Sequence, residues 1–197
     1  MSAPLYGLVL AGGQSTRMGE DKAALRYGGR AQLERAMELL GRHVQRAFVS
    51  VRAGQGDDAL RARYPRIADR HEGLGPIAGI LAAQEAYPEA AWLVLACDLP
   101  LLDEATLAGL VRARDPARAA TAYRSSHDGL PEPLCAIYEP MSHPALAACV
   151  AQGRNCPRKF LIGAGIPLLD PGVAGALDNV NTPGDYAAAR ALAEAPR

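Results

Sequence analysis

Leu5-Tyr6-Gly7-Leu8-Val9-Leu10-Ala11-Gly12-Gly13-Gln14-Ser15-Thr16-Arg17-Met18-Gly19-Glu20-Asp21-Lys22 is the stretch that decides what this chain can fold into. Leu5–Leu10 is an apolar run of strand length, and adjacent glycines follow almost at once. A buried strand delivers the backbone to the edge of a sheet. Gly12 and Gly13 then let it turn tightly and approach a ligand closely. Hydroxyls, an amide, Arg17 and Lys22 follow in one loop, which is the chemistry of a polyphosphate site. Spacing excludes two other phosphate loops. A Walker A loop needs a lysine directly after its last glycine, and Gly19 is followed by Glu20. Gly-x-Gly-x-x-Gly is absent too, because Gly12 and Gly13 are adjacent.

Outward from this loop, short β-rich runs alternate with longer helical ones, which predicts an α/β fold with a mainly parallel sheet covered on both faces. Strands are expected at Leu5–Leu10, Ala47–Val51, Arg66–Ala68, Trp92–Ala96 and Ala119–Tyr123. Gln32–Arg42 carries Leu33, Met37 and Leu40 on one helical stripe. Pro76–Ala86 is expected to be a helix with proline in its first turn, and Asp103 to cap a helix through Arg112. After Tyr123 the alternation weakens. Leu134–Tyr138 is expected as a late strand of antiparallel sense, with Pro144–Ala151 and Arg158–Ile162 as helices. Thr182, Pro183 and Asp185 form a start signal for an alanine-rich terminal helix.

The chain has 197 residues, long enough for one substantial core, and the expected organisation is a single domain over 1–197. Its 21 basic and 21 acidic residues balance, so no net field draws it to nucleic acid or membrane. No run reaches the roughly 18 apolar residues of a spanning helix, no leader is read, and the cytoplasm is the expected compartment. Cys97, Cys135, Cys149 and Cys156 match no zinc spacing and are expected as reduced, mostly buried thiols. His43, His71, His127 and His143 are scattered, which leaves histidine base catalysis unsupported.

In open α/β sheets, ligands sit beyond the carboxyl ends of the strands. Leu10 leads into the glycine loop, Ala68 into Asp69, and Ala96-Cys97 into Asp98. A carboxylate facing phosphate oxygens is repelled unless a cation bridges them, and Mg2+, hard and bound by few carboxylates, suits Asp98. The alternative is an aspartate that caps the loop after it. Lys22 and Arg17 could be phosphate ligands or solvated surface charges. Asp21 could cap a helix or orient Lys22. Gly73–Gly79 either brings backbone to a ligand or merely starts a helix. Asn179 and Asn181 fall on the same side of an extended segment and could line one wall of a site or simply form turns. Arg154, Arg158 and Lys159 could hold a phosphate or form an exposed helix face.

The pattern Leu-Ala-Gly-Gly-x-x-x-Arg-Met-Gly-x-Asp-Lys resembles the signature loop of the nucleotidyltransferases, and within them the molybdenum cofactor guanylyltransferases. Asp178-Asn179-Val180-Asn181-Thr182-Pro183 is similar to a terminal stretch of that same family. The resemblance implies a three-layer Rossmann-like nucleotidyltransferase fold and transfer of GMP from GTP to the terminal phosphate of molybdopterin or molybdenum-molybdopterin. Catalysis would fall to Lys22, Arg17 and Asp98, with Mg2+ on Asp98. Nucleotide binding would fall to Leu10, Ala11, Gly12, Gly13, Lys22, Ser50, Asp69, Gly75 and Asp98. Ser50 stands where the family often has asparagine. Acceptor binding would fall to Asn179, Asn181 and Arg158, and molybdoenzymes or their chaperones would receive the product. A cytidylyltransferase for the same pterin, a sugar-phosphate nucleotidyltransferase, and a non-catalytic nucleotide- or pterin-binding delivery protein are the rivals. Leu10-Ala11-Gly12-Gly13, rather than Leu-Ala-Ala-Gly, favours GTP over CTP.

Overall fold

The computed structural model describes residues 2–12, 21–52, 54–55, 58–70, 73–173 and 175–194. Strand β1 is Leu5–Leu10, and a hairpin of β2 (Arg26–Tyr27) and β3 (Arg30–Ala31) leads into helix α1 (Gln32–Gly41). Then come β4 (Arg46–Val51), β5 (Arg66–Ala68), α2 (Pro76–Ala86), β6 (Ala91–Ala96) and α3 (Glu104–Arg112). β7 (Ala120–Arg124), β8 (Pro131–Tyr138), α4 (His143–Ala151), α5 (Pro157–Gly163), β9 (Leu168–Leu169) and α6 (Pro183–Glu194) complete the order.

Among the described residues, seven strands form one sheet in the order β5-β4-β1-β6-β8-β7-β9. β1 pairs in parallel with β4 and β6, β4 with β5, and β7 with β9. β8 runs antiparallel to both β6 and β7, as expected for the late strand. All of β6 is buried, since helices cover both faces of a central parallel strand. On one face Leu33, Met37 and Leu40 of α1 and Leu107 and Leu110 of α3 pack on Val9, Leu93 and Leu95. On the other, Ile77 and Ile80 of α2, Leu146 of α4 and Phe160 of α5 pack on Leu8, Trp92 and Val94. Gly7 has its own role in this layer. A Cβ there would lie 2.6 Å from Leu40 Cγ, so α1 reaches β1 because position 7 is glycine.

Local chemistry explains the helix starts. Asp103 accepts from Thr106 N at 2.8 Å, the expected cap. Asp185 N donates to Thr182 Oγ1 at 3.1 Å, while Asp185 accepts from the amides of Asn181 and Thr182 at 3.0 and 2.9 Å. Tyr6, Phe48, Tyr87 and Trp92 cluster where β1, β4 and β6 begin, with the Arg46 guanidinium 4.8 Å from the Tyr87 ring centroid. Aromatic packing thus anchors the end of the sheet opposite the strand tips.

Several features differ from expectation, the short strand β9 among them. The β2–β3 hairpin turns through Gly28 and Gly29, at φ 57° and 78°, the positive pair that a two-residue hairpin of this twist requires. β8 begins at Pro131, earlier than expected, because a proline is tolerated as the first residue of a strand. Cys97 and Cys135 are buried free thiols, but Cys149 is partly exposed and Cys156 exposed.

Candidate active site

Pairing of Leu10 with Ser50 and with Ala96, and of Val51 with Ala68, brings the ends of β1, β4, β5 and β6 to one edge. The residues just beyond them build the site. Lys22 Nζ donates to Asp98 Oδ2 at 3.0 Å and to Asn181 Oδ1 at 2.7 Å. Both ion-pair side chains are about one-fifth exposed, at 22% and 19%, so the pair is reachable from solvent but partly shielded. Val180 N donates to the Asp98 carbonyl at 3.0 Å and lays the 178–182 segment beside the strand tip. Val180 itself packs with Leu25, Tyr27 and Ala189, while Asn179 is exposed. Asn181 joins the Lys22–Asp98 pair. Among the described residues Asp98 Oδ1 is buried and has no hydrogen-bond partner, a spare carboxyl oxygen beside a bonded one.

A second group lies beside β1. Ser50 Oγ donates to Asp69 Oδ1 at 2.8 Å, and Asp69 N donates to the Val51 carbonyl at 2.8 Å. Gly12 belongs to this group. A Cβ at Gly12 would stand 3.2 Å from Arg52 Cγ and 3.7 Å from Asp69 Oδ2, so its bare backbone passes close to both. Leu10 and Ala11 reach the edge through Cys97 N→Leu10 O and Ala11 N→Ser50 O, both 3.3 Å. Gly75, at φ 69°, precedes α2 with nothing within 4 Å of a Cβ, so its conformation rather than crowding calls for glycine. Gly79 is different. Its Cβ would lie 2.5 Å from Ser50 Oγ and 2.8 Å from Leu10 Cδ2, so it makes room for the strand tips. Gly13 and Arg17 lie outside the described residues.

Arg158 does not join the asparagines. Its guanidinium donates to Asp128 at 2.8 Å and Glu132 at 3.1 Å. With Leu95 opposite Cys135, the start of antiparallel β8, and so Glu132, lies at the edge where β6 ends. His127 meets Asp178 at 2.8 Å and links this charged group to the asparagine segment. Burial raises the Glu132 carboxyl above its ordinary value, against the pull of Ser125 and Arg158.

Sequence reasoning missed Arg61. It is 2% exposed, and its guanidinium bonds the Ala11 carbonyl and the Asp21 carboxylate at the two described ends of the glycine loop. Nothing in Arg61-Ala62-Arg63 tells which arginine turns inward. Partial burial pushes the Asp21 carboxyl up. The Arg61 hydrogen bonds, the Ala23 amide and the Arg61 charge outweigh that and hold it below its ordinary value. Asp21 is therefore both a cap for the turn after it, through Ala23 N at 3.1 Å, and an ion-pair partner. Burial first, then Asp98, pushes the Cys97 thiol up to about 12, so it stays protonated and is no nucleophile.

A reversed strand in an otherwise parallel sheet, with a lysine and two aspartates gathered at the strand tips, is an arrangement suited to a nucleotide's phosphates, and similarity to known proteins gives its class as nucleotidyltransferase. Residues 7–165 match the family described as the MobA-like NTP transferase domain. The chain is 36% identical over 183 residues to the molybdenum cofactor biosynthesis bifunctional protein of Synechocystis, covering 93% of this chain and 53% of that protein. It thus spans about half the length of that relative. It is 30% identical over 193 residues to a probable molybdenum cofactor guanylyltransferase of Chloroflexus aggregans, covering 92% of this chain and 91% of the relative. The crystal structure of molybdopterin-guanine dinucleotide biosynthesis protein A from Archaeoglobus fulgidus superimposes with a TM-score of 0.79 at 25% identity, over 95% of this chain and 97% of the other. The chain belongs to the MobA-like NTP transferase family.

Members of this family generally use a divalent metal. The residues present fit one, because Asp98 Oδ1, with no partner among the described residues, is a hard oxygen donor. Among the described residues no cluster of three or more ligating His, Cys, Asp or Glu side chains exists. No helix among them is long and apolar enough to cross a membrane.

Proposed function

We propose that this protein transfers GMP from GTP to the terminal phosphate of molybdopterin or its molybdenum-loaded form. An acceptor phosphate oxygen forms a bond to the α-phosphorus, the bond to the β-bridging oxygen breaks, and pyrophosphate leaves with the electron pair. The attacking phosphate is already ionised at neutral pH, so no base is required and positioning with charge neutralisation carries the rate. The observation that carries this reading is the Lys22 ammonium held between Asp98 and Asn181, at 3.0 and 2.7 Å. It supports the reading because a lysine suited to phosphate, a carboxylate suited to a metal and an asparagine amide meet at one point.

In this scheme Gly12, Ser50 and Asp69 face the nucleoside, Lys22 and Arg17 the triphosphate, and Asn179 and Asn181 the pterin phosphate. Arg158 reaches the acceptor only by leaving Asp128 and Glu132. Mg2+ is the ion we assign to Asp98, where it supplies neutralisation of phosphate charge. Residues 1–197 act as one nucleotidyltransferase domain in the cytoplasm, where GTP is found, and hand the product to a molybdoenzyme or its chaperone.

The test is magnesium-dependent pyrophosphate release with molybdopterin or its molybdenum form, offering GTP, CTP, ATP and UTP in parallel. GTP-selective release is expected. A preference for CTP reassigns the base, and silence with all four, using an acceptor proven competent, overturns the transfer.

A further inference from the structure

We propose that Arg61 is a positioning residue for nucleotide transfer, a clamp that sets where Lys22 and the Gly12 backbone meet the triphosphate. The proposal rests on the function proposed above.

Arg61 comes from outside the loop it holds, from a short helical turn (Arg61–Arg63) between β4 and β5. Burying a guanidinium is costly unless its donors are matched, and here each nitrogen has a partner. Nε and Nη2 donate to the Ala11 carbonyl at 3.1 and 2.7 Å. Nη1 and Nη2 donate to the two Asp21 oxygens at 2.7 and 2.9 Å, a fork on a carboxylate. Asp58 is its local neighbour, 3.3 Å from Nη1. That carboxylate also accepts from the amides of Leu60 and Arg61 at 3.1 and 2.9 Å and so fixes the turn that aims the side chain.

Both bonded targets adjoin functional positions. Ala11 precedes Gly12, and Asp21 precedes Lys22. Asp21 also accepts from Ala23 N through its side chain, and Ala24 N donates to its carbonyl at 2.9 Å, so the turn carrying Lys22 hangs on Asp21. A movement at Arg61 therefore reaches Lys22 through one residue on one side and Gly12 through one residue on the other. A planar fork can serve a carbonyl and a carboxylate together; a lysine ammonium cannot reproduce that geometry.

The experiment compares wild type with Arg61→Lys, Asp21→Asn and the double variant. Asp21→Asn leaves the buried side chain in place and guards against simple misfolding. Folding is read from fluorescence of Trp92, the one tryptophan, fully buried near the start of β6. Each single variant should raise KM for GTP by about tenfold, the loss of one charge-assisted hydrogen bond. KM for the acceptor should stay within about twofold, and the double variant should be no worse than the poorer single one. In Arg61→Ala, millimolar guanidinium should restore GTP binding while equal urea should not. Wild-type binding of a fluorescent GTP analogue is measured first. Its absence overturns the proposed function and this clamp with it. Wild-type binding left unchanged in both single variants, or additive losses in the double, overturns the clamp alone.

Discussion

Gly79→Ala should lower stability, although alanine is the better helix former. In α2 the change gains about 1 kcal/mol of intrinsic helix propensity. Against this, the new methyl would sit 2.5 Å from Ser50 Oγ and 2.8 Å from Leu10 Cδ2, distances that force a shift. Overpacking of this kind costs about 1–3 kcal/mol. The easiest relief is rotation of Ser50, which breaks its 2.8 Å bond to Asp69. A hydrogen bond to a charged group is worth about 1.5 kcal/mol or more. The balance is a net loss of roughly 2–3 kcal/mol, or a fall in Tm of about 4–12 °C for a chain this long. Thermal unfolding followed by Trp92 fluorescence measures it. KM for GTP should rise in parallel, since Ser50 and Asp69 move. Gly41→Ala is the control: a Cβ there meets nothing within 4 Å, so it should be neutral or gain up to about 1 kcal/mol. If Gly79→Ala behaves like Gly41→Ala and leaves GTP binding untouched, the crowding account is refuted.

Asp98→Ala should cut pyrophosphate release by at least about a hundredfold with the Trp92 unfolding transition preserved; substantial residual turnover would remove Asp98 from the chemistry. Glu139→Ala should do the reverse. Glu139 is 2% exposed and accepts from Arg114 Nε and Nη2 at 2.6 and 2.9 Å, so its loss leaves the guanidinium with the Ala3 carbonyl but without its charge partner. A broken buried pair costs about 3–5 kcal/mol, read as a large drop in Tm with KM for GTP unaltered. The Asp21 carboxyl is held below its ordinary value of 3.8, so its pairing stabilises the fold above that pH and is lost as pH falls through the lowered value. The stability difference between wild type and Asp21→Asn should be constant near neutrality and shrink in acid. A difference that grows in acid would reverse the assigned sign. Asp185→Ala should fray the start of α6 and weaken acceptor binding through Asn181, visible as a higher acceptor KM with the GTP KM unchanged.

Much of the frame was legible because periodicity and punctuation agree with packing. Leu5–Leu10, Arg66–Ala68 and Pro76–Ala86 form the expected elements with the expected bounds. Short elements were not legible. Arg26–Tyr27 and Leu168–Leu169 are two residues each, too short to show a period, though Gly28-Gly29 between Tyr27 and Arg30 was a usable hairpin signal. In the site, residue chemistry pointed to Lys22 and Asp98 separately. Their meeting spans 76 residues, and that of Lys22 with Asn181 spans 159, so it follows from strand order rather than from any local pattern. The sequence left Gly79 open between bringing backbone to a ligand and merely starting a helix, and could not show that its missing side chain makes room for Ser50 and Leu10. Arg158 and Arg61 show the limit most plainly, because which carboxylate an arginine finds is decided by tertiary packing.

The reversed direction of β8 divides the strand-tip edge into two regimes of inheritance. On one side, β1, β4, β5 and β6 all finish at the edge, so Leu10, Ser50, Asp69 and Asp98 each sit at or within two residues of a strand locked in register. On the other, β8 only begins there, directly after the 125–130 turn, whose Ser125 N→Leu130 O bond at 2.8 Å closes on itself. On the function proposed above, insertions in that turn would alter the side of the edge where Arg158 meets Asp128 and Glu132, and leave the ends of β1, β4, β5 and β6 undisturbed. A scaffold arranged this way lets the two sides of one edge change independently.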